Sequence, residues 1–429
     1  MPITNQPSGL CVRSRAKLIL CSFLALAALL SHSVSAQQNE NASSTQPNQP
    51  DFHIASDKGY AQVPFDLYWD GILVQFRINN SRPIWLALDT GVNLNIINQR
   101  VFDQLGLKSV GAANLIGGGG TAKGQFADNA TISLPGVETY KQPLASAPLD
   151  AMRLSGRDVE GLIGTPFLKN FVVVIDYARQ TLTFYDPKVY NLANEPDAVT
   201  MEGRNGWPYM EAELSINGHD TITDKFMIDT GSNRIFHINR PFAEAHHVLA
   251  LLPKNDRAEG LGEGIGGRTK FIEARINSIR IGKYTINRPV VSISQDIEGI
   301  GAGTDAGIIG AEILRRFTVT LDYSTSRMLL VPNAHFNEPY EVDMSGLELV
   351  TKPDDFKAIV IKSVLANYPA AEAGLREGDE IISINGHPIG EFNLAQLVRM
   401  FKQEGKQYLL RVRRGDQVIR ARLKMRRAV

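Results

Sequence analysis

Short runs of apolar residues alternating with polar ones dominate the chain from about residue 59 onwards, which is the period of half-buried strands. Ile72-Leu73-Val74-Gln75-Phe76-Arg77-Ile78 reads as a strand that turns at Asn79-Asn80, and the next apolar run, Trp85-Leu86-Ala87-Leu88, ends on Asp89-Thr90-Gly91. The same sentence is written again further on. Tyr209 to Ile216 reads as a strand that turns at Asn217-Gly218, and Phe226-Met227-Ile228 ends on Asp229-Thr230-Gly231. Each pair predicts a hairpin whose second strand delivers a carboxylate to a Thr-Gly turn.

The repetition continues. Gly117-Gly118-Gly119-Gly120 corresponds to Gly264-Ile265-Gly266-Gly267, and each precedes an alternating strand. Gly161-Leu162-Ile163-Gly164 corresponds to Gly307-Ile308-Ile309-Gly310. At that same offset Leu168 matches Leu314, Phe171 matches Phe317, Val173 matches Val319, and Asp176-Tyr177 matches Asp322-Tyr323. Four blocks at nearly one spacing imply internal duplication. The expected lobes are residues 58–196 and 197–336.

A third region, residues 340–426, has a different pattern. Ala358 to Val364 is an apolar, β-branched run, and Pro369 to Leu375 reads as a short helix closed by Gly374. Glu380 to Ile384 reads as a strand before the Asn385-Gly386 turn, Leu394 to Gln403 as an amphipathic helix, and Tyr408 to Val412 with Val418 to Leu423 as closing strands.

The N-terminus reads as an export signal over residues 1–36. Arg13, Arg15 and Lys17 precede an apolar run from Leu18 to Leu30, and Val34-Ser35-Ala36 suits cleavage. That run is shorter than the roughly 20 residues of a membrane span. Residues 37–57, rich in Gln, Asn, Ser and Pro, predict a disordered spacer. Both cysteines, Cys11 and Cys21, fall inside the signal, so the mature chain has no thiol for a disulfide, a metal or a nucleophile. Lys+Arg and Asp+Glu balance at 45 each, which removes any global basic field for nucleic acid. The histidines form no ligand spacing, and no Gly-x-Ser-x-Gly elbow is present.

A carboxylate at the end of a buried strand is costly unless it has work to do. Two of them, 140 residues apart in a duplicated chain, suggest a pair that shares one proton. With its two Asp-Thr-Gly turns and the apolar-Gly segment after each, the repeat resembles the retropepsin-like aspartic proteases, fused so that one chain supplies both lobes. The third region resembles a PDZ domain, on Ser345-Gly346-Leu347-Glu348-Leu349, Pro369 to Leu375, Gly378-Asp379-Glu380-Ile381 and Ser383-Ile384-Asn385-Gly386.

The resemblance implies a mainly β chain: a bilobal pepsin/retropepsin-like acid protease fold plus a small α+β PDZ domain. It implies Asp89 and Asp229 as catalytic residues, supported by Thr90, Gly91, Thr230, Gly231 and Ser232. Gly118, Gly119, Gly120, Gly266 and Gly267 are the expected flap tips, and Gly346, Leu347, Glu348 and Leu349 the expected peptide-binding loop, holding an extended peptide or its terminal carboxylate. Val92 departs from the pattern. Where Ser232 offers a hydroxyl to the second carboxylate, Val92 offers none to the first, so Asp229 is expected to ionise more easily. The expected function is an exported aspartic endopeptidase, periplasmic or extracellular, monomeric, acting on polypeptide without metal, cofactor or nucleic acid. The rival is a non-catalytic peptide-binding or scaffold protein with a vestigial dyad.

Overall fold

In the computed structural model, residues 51–153, 155–352 and 354–429 are described. The export signal and most of the expected spacer lie outside them. No helix among the described residues is long and apolar enough to cross a membrane.

The duplication is visible as topology. In the first lobe the strand Ile84–Leu88 lies between Gly71–Ile78, to which it is antiparallel, and Gly161–Ile163, to which it is parallel. In the second, Ile222–Asp229 lies between antiparallel Trp207–Ser215 and parallel Gly307–Gly310. The two apolar-Gly segments are therefore strands that back the aspartate strands. The Asp89 N–H donates to Ile163 O at 2.9 Å, and the Gly164 and Gly310 backbones run against the turns at Val92 and Ser232. A β-carbon at Gly164 would lie 2.2 Å from Leu94 O and one at Gly310 2.0 Å from Arg234 O, so glycine is needed there for close approach.

Each lobe fills its interior with phenylalanine. Phe76, Phe167, Phe171 and Phe184 are fully buried and pack at centroid distances of 5.4–5.8 Å in the first, mostly edge-on. In the second, Phe226 meets Phe236 at 4.6 Å and Phe242 edge-on at 5.8 Å. Each such ring contributes about 1.5–3 kcal/mol through burial.

A six-stranded sheet ties the lobes together. Tyr60–Pro64, Val172–Asp176 and Thr181–Tyr185 come from the first lobe, and Val199–Thr200, Phe317–Asp322 and Arg327–Pro332 from the second. Its central antiparallel pair sets Val174 opposite Thr320, which is its own counterpart in the repeat. The pseudo-twofold axis passes through that pair. Residues 186–198 connect the first-lobe strand Thr181–Tyr185 to the second-lobe strand Val199–Thr200 of this shared sheet.

One boundary needs correcting. Residues 51–57 were expected to belong to the spacer, but Phe52–Ile54 is a strand on Val137–Ala147, with Phe52 stacked 5.0 Å from Phe171. Burial of two alternate apolar side chains outweighs the polar composition around them.

The C-terminal region has its own core, with strands in the order Leu347–Lys352, Asp355–Val364, Glu380–Ile384, Gln407–Arg414, Gln417–Lys424. The helix Leu394–Phe401 is shorter than its sequence pattern predicts. It starts at a reciprocal cap between Asn393 and Gln396 and buries Leu394, Leu397 and Phe401. A charged cluster joins the two lobes, and the C-terminal region reaches it through Lys402. Arg316, with no exposed surface, and Arg315 both reach Glu312. Arg315 also meets Asp70 of the first lobe at 3.3 Å, and Lys402 lies 3.9 Å from Glu312.

Candidate active site

The two Asp-Thr-Gly turns meet at the axis. Thr90 N–H donates to Thr230 Oγ1 at 3.1 Å, and Thr230 N–H donates to Thr90 Oγ1 at 3.0 Å. Each hydroxyl then donates across the interface, Thr90 to Ile228 O at 2.6 Å and Thr230 to Leu88 O at 2.9 Å. Both threonines are fully buried. This reciprocal lock fixes the aspartates that follow Leu88 and Ile228.

The glycines explain why the turns end as they do. A β-carbon at Gly91 would lie 2.5 Å from Asp229 Cγ, and one at Gly231 would come closer still to Asp89. Each glycine backbone therefore forms the floor under the opposite carboxylate. Its own N–H serves its own aspartate: Gly91 donates to Asp89 Oδ1 at 2.8 Å and Gly231 to Asp229 Oδ1 at 2.9 Å.

The symmetry then breaks. Ser232 N–H gives Asp229 Oδ1 a second donor at 2.9 Å. Burial, and after it the neighbouring Asp229, push Asp89 well above the ordinary carboxylate value, against the pull of Gly91 N–H. Burial raises Asp229 too, but the hydrogen bond from Asp89 and the N–H groups of Gly231 and Ser232 draw it back. The proton belongs to the pair and rests more on Asp89. The direction agrees with the sequence expectation, but the cause does not. The second carboxylate is favoured by the Ser232 backbone, while the Ser232 hydroxyl accepts from Arg234 N–H at 3.5 Å.

Above the dyad the glycine-rich hairpins face each other. The first runs from Gly111–Gly117 into Gly120–Leu134, the second from Arg257–Gly264 into Gly267–Arg275. Gly120, Gly266 and Gly267 have φ of 131°, 94° and 137°, a region that disfavours side chains. Gly119 N–H donates to Ile265 O at 3.0 Å, so the tips touch and close the roof.

Between roof and dyad lies a cavity of about 1030 Å³. The first lobe's lining includes the apolar Leu73, Val92, Leu149, Val159 and Leu162. The second lobe's includes the polar Arg234, His237, Thr269, Glu273 and Asp296. Arg234 stacks 3.7 Å over Phe271 and reaches Thr269 Oγ1 at 3.3 Å; burial lowers it to about 10. Burial raises Glu273 to about 7 and, with Arg234 adding to it, lowers His237 to about 3. The expected loop Gly346, Leu347, Glu348 and Leu349 lines the same cavity as Asp89 and Asp229.

Sequence reasoning missed several supports. Trp207 donates its indole N–H to Gly91 O at 3.0 Å, and Asn93 donates to Asn205 O at 3.0 Å, so a second-lobe hairpin braces the first turn. The signal was available: Asn205-Gly206 is a turn, and the large amphipathic ring of Trp207 opens the strand Trp207–Ser215. Arg234 had no such signal, because its counterpart in the repeat, Leu94, is apolar.

A family model described as aspartyl protease matches residues 74–167 and again 212–313, and one described as PDZ domain matches residues 360–414. The chain therefore carries an aspartyl protease-like domain written in two lobes and a C-terminal PDZ domain. Periplasmic serine endoprotease DegP of Salmonella typhimurium is 38% identical over 76 residues, which is 18% of this chain and 15% of that protein. The chain thus spans a small part of that relative. A solved structure of photosystem II D1 C-terminal processing protease is 18% identical, over 22% of this chain and 25% of that one, with a TM-score of 0.19. The name of that protein describes serine rather than carboxylate chemistry.

Proposed function

We propose that this chain is an exported aspartic endopeptidase in which Asp89 and Asp229 activate one water. The observation that carries the reading is the reciprocal threonine lock, which sets two buried carboxylates together at the foot of a roofed cavity. Asp229, with its extra N–H donor, is the ionised member and takes a proton from the water as its oxygen attacks the peptide carbonyl carbon. Asp89 gives its proton to the carbonyl oxygen, forming a neutral gem-diol. Asp229 then gives its proton to the amide nitrogen, the C–N bond breaks, and a gem-diol hydroxyl returns a proton to Asp89 as the carbonyl is restored on the acid product. The flaps exclude bulk water during these steps.

Export rests on the N-terminal signal in the sequence, and a periplasmic home is in keeping with the DegP match. The PDZ domain is read as a peptide-recruiting module. The test is cleavage of a random peptide library by the chain from residue 37, across pH 3 to 8, with Asp89→Asn alongside. Cleavage that vanishes in the variant is the expected result. Folded protein that cleaves nothing at any pH would leave a peptide-binding scaffold as the better description.

A further inference from the structure

The two repeats present different side chains at equivalent places beside the cleft. In the second lobe the sheet register sets Glu273 opposite Ser292, and Ser292 opposite His237. In the first lobe the matching strands set Phe126 opposite Ala145, and Ala145 opposite Ile96. His237 and Ile96 in turn lie opposite Ile308 and Leu162, the matched residues of the two apolar-Gly segments, and both of these line the cavity. A row that is apolar on one side of the pseudo-twofold axis is polar on the other. Arg234 extends the difference, since its counterpart is Leu94.

These polar groups are not spent on one another. The Arg234 guanidinium lies over the Phe271 ring and commits one of its five N–H donors, to Thr269 Oγ1 at 3.3 Å. Glu273 and Asp296 are near enough to act on its charge, yet among the described residues no ion pair joins it to either. The Glu273 carboxyl makes no hydrogen bond among them, and the buried Nδ1 of His237 has no partner. The flap strand is bare at this point. A β-carbon at Gly262 would lie 2.4 Å from Arg234 Nη2, and one at Gly260 2.0 Å from Phe271 Cε2, so glycine there leaves the room that the stacked pair fills.

The charges select among ligands. A carboxylate would satisfy Arg234 but would bring another negative group to a wall that holds Glu273, Asp296 and Asp343. An ammonium or guanidinium would satisfy Glu273 but meet Arg234. A carboxamide is neutral and has both faces: its oxygen accepts from Arg234, and its NH₂ donates to Glu273, whose carboxyl oxygen accepts whether ionised or protonated. Seating a neutral group in a confined site costs less than seating an unbalanced charge.

We propose that Arg234 and Glu273 form a specificity cradle for a carboxamide, so that the substrate presents Gln or Asn where its extended chain passes the second lobe. This rests on the proteolytic reading for its role in turnover, and on the cradle alone for binding.

The test is a random peptide library panned on the Asp89→Asn chain, with the retained peptides sequenced. One position is expected to be enriched in Gln or Asn over Asp, Glu, Lys and Arg, and a Gln peptide should bind at least about tenfold more tightly than its Leu counterpart. Adding Arg234→Leu, which places the first lobe's residue in the second, should turn that position apolar and leave preferences at the other positions in place. Adding Glu273→Leu, which leaves the guanidinium alone, should turn it towards Asp or Glu; this variant decides the matter if the first does not fold. No enrichment in Gln or Asn, a preference for a charged residue, or an enrichment that outlives either substitution would overturn the cradle. Cleavage of the same peptides by the unsubstituted chain keeps the two readings apart. Turnover without the amide preference sinks the cradle and spares the chemistry, and the amide preference without turnover does the reverse.

Discussion

Thr90→Val tests the lock with almost no change of shape. The substitution keeps the side-chain volume and removes one oxygen that makes two bonds, accepting from Thr230 N–H at 3.0 Å and donating to Ile228 O at 2.6 Å. Both partners sit at a fully buried interface. A buried polar group left without its partner costs about 1–3 kcal/mol. The Ile228 carbonyl lies in a strand and has a second lone pair, so its share falls at the low end. The expected loss is therefore about 2–4 kcal/mol, read by urea unfolding followed through tryptophan fluorescence. Thr90→Ser keeps both bonds and sheds one methyl, so it should lose only about 1 kcal/mol. Thr230→Val should match Thr90→Val, because its hydroxyl makes the mirror pair with Thr90 N–H and Leu88 O. Turnover should fall in both valine variants, since the lock holds the strands that end in Asp89 and Asp229. A Thr90→Val chain within about 0.5 kcal/mol of its parent, or a large inequality between the two valine variants, would refute the reasoning.

Asp89→Asn should abolish cleavage and yet stabilise the chain at neutral pH. A carboxylate raised by burial binds its proton more tightly folded than unfolded, so it costs stability as pH rises above the ordinary carboxylate range; the variant's advantage should appear in urea midpoints at pH 7 and fade at pH 3. Equal differences at both pH values would contradict this. Gly119→Ala would drive a β-carbon into the Gly267 carbonyl, so the flap tips must part, and kcat/KM for library peptides should fall about tenfold or more while urea stability changes little. Trp207→Phe removes the indole donor from Gly91 O and should cost about 1–2 kcal/mol, with a drop in kcat larger than any change in KM. Glu312→Gln leaves Arg316 buried without its counter-charge, and should cost about 3–5 kcal/mol by denaturant titration.

The features legible in the sequence were those that duplication wrote twice. Asp89 and Asp229, their threonines and glycines, the flap glycines and the apolar-Gly segments stand at similar offsets, because a pseudo-twofold site needs the same backbone on both sides. What stayed illegible was what the symmetry does not demand. Phe52–Ile54 is a strand because Phe171 offers its ring an edge, and no local pattern within a polar stretch announces that. The polar second-lobe wall of Arg234, His237 and Glu273 has apolar counterparts in the first lobe, so comparison of the repeats hides it. The Ser232 contribution was assigned to a hydroxyl, since residue type is visible in a sequence and the direction of an N–H is not.

That last difference bears on mechanism. If the asymmetry of the dyad came from a hydroxyl, Ser232→Ala would erase it. It comes from a backbone donor, which alanine retains, so Ser232→Ala should leave the pH profile of cleavage near that of the parent. Val92→Ser, by the same logic, would not restore symmetry, because it is the path of the backbone at Val92, and not the missing oxygen, that leaves Asp89 with one N–H donor where Asp229 has two.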